Sequence, residues 1–144
     1  MKKEGAVVIK KVTRGKEIAV AVINEVGVLA RITSFLVNHG VNIETVAGYA
    51  TPMGEEAGLM FITNDNKVVI SILQEHGFED ISENDVLIVE LENKPGALKN
   101  ISEILAQNGI NITYIYATTC SSGCPTKVVL STSNNKKALV ILSE

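Results

Sequence analysis

The sequence predicts an α+β protein made of two copies of one strand-helix-strand-strand-helix-strand unit. Three observations predict it: a repeat at a fixed offset, aliphatic residues that switch between strand and helix spacing, and glycines that punctuate both copies at matching places. Shifted by 69 positions, Ile23-Asn24-Glu25-Val26-Gly27-Val28-Leu29 lies over Glu92-Asn93-Lys94-Pro95-Gly96-Ala97-Leu98. The register continues without a gap, with Ile32 over Ile101, Leu36 over Leu105, and Gly40-Val41-Asn42-Ile43 over Gly109-Ile110-Asn111-Ile112. Gly54 then falls on Gly123, Thr63 on Thr132, and Ile72-Leu73 on Ile141-Leu142.

Each copy can be read locally. Residues 18–23 and 86–91 are aliphatic and largely β-branched, which favours strands. A tight loop ends in Gly27 or Gly96. Leu29, Ile32, Phe35 and Leu36 then recur at helical spacing, as do Leu98, Ile101, Ile104 and Leu105. Pro95 suits the first turn of its helix, where a missing N–H costs nothing. Gly40 and Gly109 are expected as C-cap glycines. Second strands follow over about residues 41–50 and 110–118, third strands near 59–63 and 127–131, and second helices over 66–76 and 134–142, with Gly77 ending the former. This order is the split βαβ, ferredoxin-like unit with an antiparallel sheet.

The fourth strand of the first copy is expected at residues 78–81. The second copy reaches Glu144 with no counterpart to residues 76–84, while a spare apolar segment, Ala6-Val7-Val8-Ile9, stands at the front. That segment is expected to supply the missing strand of the second copy, because an open edge invites aggregation. The expected organisation is therefore an N-terminal strand within residues 1–15, a first unit over 16–84 and a second over 85–144. Ile18, Val20 and Val22 share one face of the first strand, and Ala19, Ala21 and Ile23 the other. Both faces are apolar, so the face away from the helices is expected to pack on the other repeat or on a partner subunit. Units under about 75 residues have little core of their own, which makes such support expected.

Composition narrows the function. The 144 residues are 46% hydrophobic and 20% charged, with no low-complexity tract. No apolar run reaches membrane-span length, and the start is too short in apolar residues for a signal peptide. A soluble cytoplasmic protein is expected, with no membrane partner. Net charge is −3, and aromatics are 4% with no Trp; both argue against nucleic acid, which needs clustered cations and stacking rings. Lys2, Lys3, Lys10, Lys11 and Lys16 read as a solvated strand edge.

The conserved spacing of the two loops has a physical meaning of its own. Gly27 and Gly96 stand where a strand turns into a helix, and without a Cβ the backbone can approach a ligand closely. The free N–H groups and positive end of a helix favour a carboxylate there. Asn24 and Asn93 sit beside those glycines, with amides that both donate and accept. Asn42 and Asn111 open the second strands. Asn and Gly in turns also serve backbone geometry alone, which is the competing reading of every one of these positions.

Glu92-Asn93-Lys94-Pro95-Gly96-Ala97-Leu98, followed by Gly109-Ile110-Asn111-Ile112, resembles the signature of the ACT domain, a family of small regulatory modules with the βαββαβ fold, many of which bind amino acids. The resemblance covers nearly the whole chain from about Lys16. It implies a tandem ACT protein with no attached enzyme, and a homodimer. It further implies amino-acid sites between adjacent units, lined by Asn93, Lys94, Pro95, Gly96, Ala97 and Asn111, and in the first copy by Asn24, Gly27 and Asn42. The first copy departs from the motif at Val26, where Pro is usual. Some relatives carry a His two residues before the first Asn, where this chain has Leu91 and Val22.

Other constellations are discounted. Cys120-Ser121-Ser122-Gly123-Cys124-Pro125 is expected to be an ordinary turn with reduced thiols; a metal or redox role is the alternative. His39 and His76 fall at helix ends, where imidazole meets the helix dipole. Glu55-Glu56 reads as solvated acid, and Tyr114 and Tyr116 share one strand face. Asn64-Asp65-Asn66 resembles a helix cap, since no calcium-loop pattern follows. No metal ligand set, cofactor motif, nucleophile or acid/base pair is evident, and the Arg that an acylphosphatase needs after its first strand is absent from that loop. The expected function is regulatory: a small molecule, an amino acid by the resemblance, binds between units and the state passes to a partner protein. The alternative is an interaction or assembly module of the same fold without a ligand.

Overall fold

The computed structural model describes residues 8–144. Its elements follow the order β1 (Ile9–Val22), α1 (Val28–Val37), β2 (Ile43–Ala50), β3 (Ala57–Thr63), α2 (Asn66–Glu75), β4 (Ile81–Leu91), α3 (Ala97–Gln107), β5 (Ile112–Thr118), β6 (Thr126–Thr132) and α4 (Asn135–Ser143). The fold is α+β, in two compact units. One is Lys16–Asn84; the other is Asp85–Glu144 together with the described residues up to Gly15.

In the first unit the strand order is β2-β3-β1-β4. Antiparallel pairing sets Ile18 opposite Phe61 and Val20 opposite Leu59. These four point to the same side because side chains alternate along strands, and there they meet Ile32 and Leu36 of α1 and Val69, Ile72 and Leu73 of α2. Ala21 N–H donates to Asp80 O at 2.9 Å, bringing the start of β4 alongside β1.

The second unit repeats this with β1-β4-β6-β5. Leu87 lies opposite Leu130 and Val89 opposite Val128, and they bury against Ile101 and Leu105 of α3 and Ala138 and Leu142 of α4. Glu92 N–H donates to Val8 O at 2.8 Å, and Val8, only 4% exposed, belongs to this core. Ala6 and Val7 of the expected front strand lie outside the described residues. Each unit carries the same irregularity in its hairpin, between Ile43 and Thr45 in one and Ile112 and Tyr114 in the other.

Three expectations need correction. The first strand extends back to Ile9, through a lysine-rich stretch without apolar alternation, because ladder hydrogen bonds need only backbone. For the same reason the polar run Ser82-Glu83-Asn84-Asp85 is part of β4, and the expected strand at 78–81 begins instead at Ile81; Phe78 packs on the core before it. Pro95 precedes the helix cap Gly96, outside the first turn. Gly40, Gly77 and Gly109 do adopt positive φ after their helices. On the sheet face away from the helices, Ala21 and Tyr49 are exposed.

A repeated device not singled out from the sequence starts α2 and α4. Asn135 Oδ1 accepts from Thr132 N–H at 2.9 Å and from Thr132 Oγ1–H at 2.7 Å, while Asn135 Nδ2 donates to Asp85 O at 3.0 Å. Asn66 does the same with Thr63 and Lys16 O. One amide thus ties a helix start to two strands. Asn135→Ala, which forfeits three hydrogen bonds, is expected to lower stability by about 2–3 kcal/mol. Urea unfolding measures this, and a change under about 0.5 kcal/mol would contradict it.

Candidate functional site

Two buried apolar residues clamp the loop that opens α3: Leu91 ends β4 at 1% exposure and Ala97 starts the helix at 4%. Between them Asn93, Lys94, Pro95 and Gly96 are exposed. Lys94 N–H donates to Glu92 O at 3.0 Å and Ala97 N–H to Lys94 O at 3.3 Å, which folds the loop tightly. Gly96 then takes φ 87°, a left-handed conformation that a Cβ disfavours. Gly27 takes φ 86° at the start of α1.

The four helices divide into two kinds at their N-termini. α2 and α4 are capped by side chains, Asp65 accepting from Val68 N–H and Asn134 from Lys137 N–H. α1 and α3 begin on glycine with no side-chain cap. Their first N–H groups have no partner earlier in the helix, and they carry the positive end of the helix dipole. An exposed loop with uncapped N–H groups and an adjacent amide can accept a carboxylate. No capping side chain occupies that place.

The sequence-derived residues sort themselves on this geometry. Asn93, Gly96, Asn24 and Gly27 sit at the openings of α3 and α1. Lys94 pairs with Glu92 at 2.9 Å, both partly exposed, and such a pair adds little stability. Ala97 is a core residue, so its side chain serves packing. Asn111 and Asn42 lie beyond the other ends of α3 and α1. Asn111 N–H donates to Ser133 Oγ and its C=O accepts from Ser133 N–H; Asn42 is tied to Asn64 in the same way. Within one unit, then, Asn93 and Asn111 are separated by the 11 residues of α3, about 16 Å of helix. One small ligand cannot touch both in a single unit.

The hairpin between β2 and β3 reaches the α1 opening. A Cβ on Gly54 would stand 3.4 Å from Asn24 Nδ2. Beside this loop lies a cleft of about 410 Å³, lined by residues including Ile23, Glu25, Arg31, His76 and Phe78. Arg31 pairs with Glu25 at 2.7 Å on its rim. Sequence reading passed over this cleft, because Arg31 and His76 come together only when α1 packs on α2. His76 caps α2 and stacks on Phe35 with ring centroids 3.6 Å apart. His39 Nδ1 lies 3.1 Å from Phe35 O after α1.

The expected reduced cysteines are instead joined: Cys120 and Cys124 form a disulfide across the β5–β6 hairpin, with Cα atoms 5.4 Å apart. That spacing falls within disulfide range, and the hairpin's return brings the two residues together. Among the described residues no group of three His, Cys, Asp or Glu is placed to hold a metal ion, and no helix is long and apolar enough to cross a membrane.

Fold and site together define a tandem of split-βαβ modules with paired, open helix-start loops. Residues 87–143, most of the second unit, match the sequence model of the AHAS small subunit-like ACT domain. No curated protein matches the sequence. Among solved structures, the fold is similar to that of protein BT0572 from Bacteroides thetaiotaomicron, with TM-score 0.80 and 22% identity over 91% of this chain and 88% of that one. The regulatory subunit of aspartate kinase from Thermus thermophilus, in ligand-free form, gives TM-score 0.67 and 14% identity over 94% and 96%. Aspartate kinase from Clostridium acetobutylicum, described as an allosteric enzyme, gives 0.60 and 18% over 94% of this chain and 34% of the enzyme. These likenesses span both units and concern the fold.

Proposed function

We propose that the protein is a regulatory sensor that binds an amino acid at its helix-opening loops and passes the bound state to a partner protein. The observation that carries this reading is the exposed, uncapped Asn93–Gly96 opening of α3, inside the segment that matches the ACT family. A carboxylate there meets the N–H groups of the first turn that follow Ala97, whose own N–H is held by Lys94 O, and the Asn93 amide holds a second polar end. Asn111 stands at the far end of the same unit, so a site that uses both residues takes them from two units or two copies of the chain. A homodimer follows naturally, and ligand then favours one arrangement of the contributing units over others. The fold shared with a regulatory subunit of aspartate kinase supports a non-catalytic role acting on another protein.

Charge-assisted hydrogen bonds contribute about 1.5–3 kcal/mol each. A few of them, less the entropy of binding, correspond to micromolar to millimolar affinity. The test is a thermal-shift screen against the twenty amino acids at millimolar concentration. Saturation near 100 times Kd adds about 2.7 kcal/mol, a rise of several degrees. No shift with any amino acid, on folded protein, would reject the reading. The competing assembly-module reading draws on Val26 in the first loop and on Leu91, which is buried in the core where some relatives carry a His.

A further inference from the structure

We propose that Cys120 and Cys124 form a thiol–disulfide exchange site, in which an incoming low-molecular-weight thiol attacks Cys124 Sγ and Cys120 leaves as the thiolate. This inference goes beyond amino-acid sensing, and its test involves no amino acid.

The bond has a poor structural rationale. The β5–β6 hairpin is already held by its ladder, with Thr118 opposite Lys127 and Ala117 opposite Val128. The first unit closes the equivalent hairpin without cysteine. There Thr51 N–H donates to Glu56 O at 2.8 Å, and Glu56 N–H donates to Thr51 Oγ1 at 3.1 Å. A disulfide spanning four positions closes a small loop, the case in which chain-entropy stabilisation is least. The bond is also accessible: Ser121, Ser122, Gly123, Cys124 and Pro125 are all exposed, and none of the three residues inside the ring is bulky.

The two sulfurs differ. Cys124 is exposed and Cys120 is half-buried. Cys120 Sγ accepts from Cys124 N–H at 3.1 Å and lies 3.5 Å from the Ser122 hydroxyl, which can turn to donate. Donors aimed at a sulfur support the negative charge it carries as it leaves. Attack therefore falls on Cys124. The new S–S bond joins the thiol to Cys124, the old bond breaks, and its electron pair goes to Cys120. A second thiol attacks the mixed disulfide at the small-molecule sulfur and releases Cys124. Two thiols are oxidised to their disulfide, the protein bond gains two electrons, and the two thiol protons end on Cys120 and Cys124.

The hairpin tip lies at the end of the unit that also carries the Asn93–Gly96 loop, since Leu91 pairs with Thr126. Exchange thus alters the surface beside that loop.

The test uses the full chain, oxidised with glutathione disulfide, then exposed to reduced glutathione in native buffer, acid-quenched and mapped by mass spectrometry. Glutathione is expected on Cys124 about tenfold over Cys120, the ratio that one charge-supporting hydrogen bond confers. Ser122→Ala should reduce that ratio, and dithiothreitol should complete a reduction that glutathione disulfide reverses. Three outcomes overturn the proposal: adducts mainly on Cys120, reduction only after denaturation in urea, or cysteines that do not pair under glutathione disulfide.

Discussion

Replacing Asn93 and Asn111 together by alanine is expected to abolish the response to the amino acid that raises the melting temperature of the native protein. Stability without ligand should stay within about 1–2 kcal/mol. The two halves of this expectation have separate grounds. The Asn93 side chain is exposed on the α3-opening loop. The fold-bearing hydrogen bonds of Asn111 come from its backbone N–H and C=O to Ser133, which alanine retains. Neither change removes core volume. Each lost hydrogen bond to a charged ligand end weakens binding by about 1.5–3 kcal/mol, so the pair should reduce affinity by more than about a hundredfold. Calorimetric titration of the single and double variants reads this directly. Affinity within twofold of native in the double variant would place the ligand elsewhere, and the cleft beside Arg31 and Glu25 would be the next position to examine.

Deleting residues 1–12 is expected to unfold the second unit while the first remains structured. Val8 is almost fully buried in the second core, and Ile9 and Val12 pack against it. Losing one full and two partial aliphatic burials removes about 3–6 kcal/mol. That is a large part of the stability of a small domain. The deletion also strips the Val8 acceptor from Glu92 N–H, one position before Asn93, and leaves the edge of β4 open to pairing with other chains. Amide-resolved NMR should show native signals for residues of α1, α2 and β3 and lost dispersion for α3, α4 and β6. A truncated protein that stays soluble and unfolds cooperatively at the native midpoint would refute this account of the front segment.

The repeat carried much of this structure in plain view. Aliphatic residues at strand and helix spacing announced every helix and most strands, because burial on one face imposes a period on the residues that make it. Gly27 and Gly96 were legible as helix openings, since few residues other than glycine tolerate a left-handed turn there. Less was legible where pairing rests on backbone alone. Residues 10–17 and 82–85 are polar strands, and nothing in their side chains reports a ladder that only peptide groups make. Asn66 and Asn135 recur at the repeat offset, but their work depends on Lys16 O and Asp85 O, each 50 positions away.

By itself, then, the amino-acid order determined the α+β class, the twofold repetition of the unit, the helix-facing core residues and the two glycine loops that open α1 and α3. Each of these is set by short-range periodicity or by a single residue's backbone preference. Tertiary structure alone decided that Cys120 and Cys124 are joined, that Arg31 and His76 border one cleft, and that Asn66 and Asn135 reach the carbonyls of Lys16 and Asp85. Those facts depend on how distant segments meet in space, and local sequence spacing holds no record of such meetings.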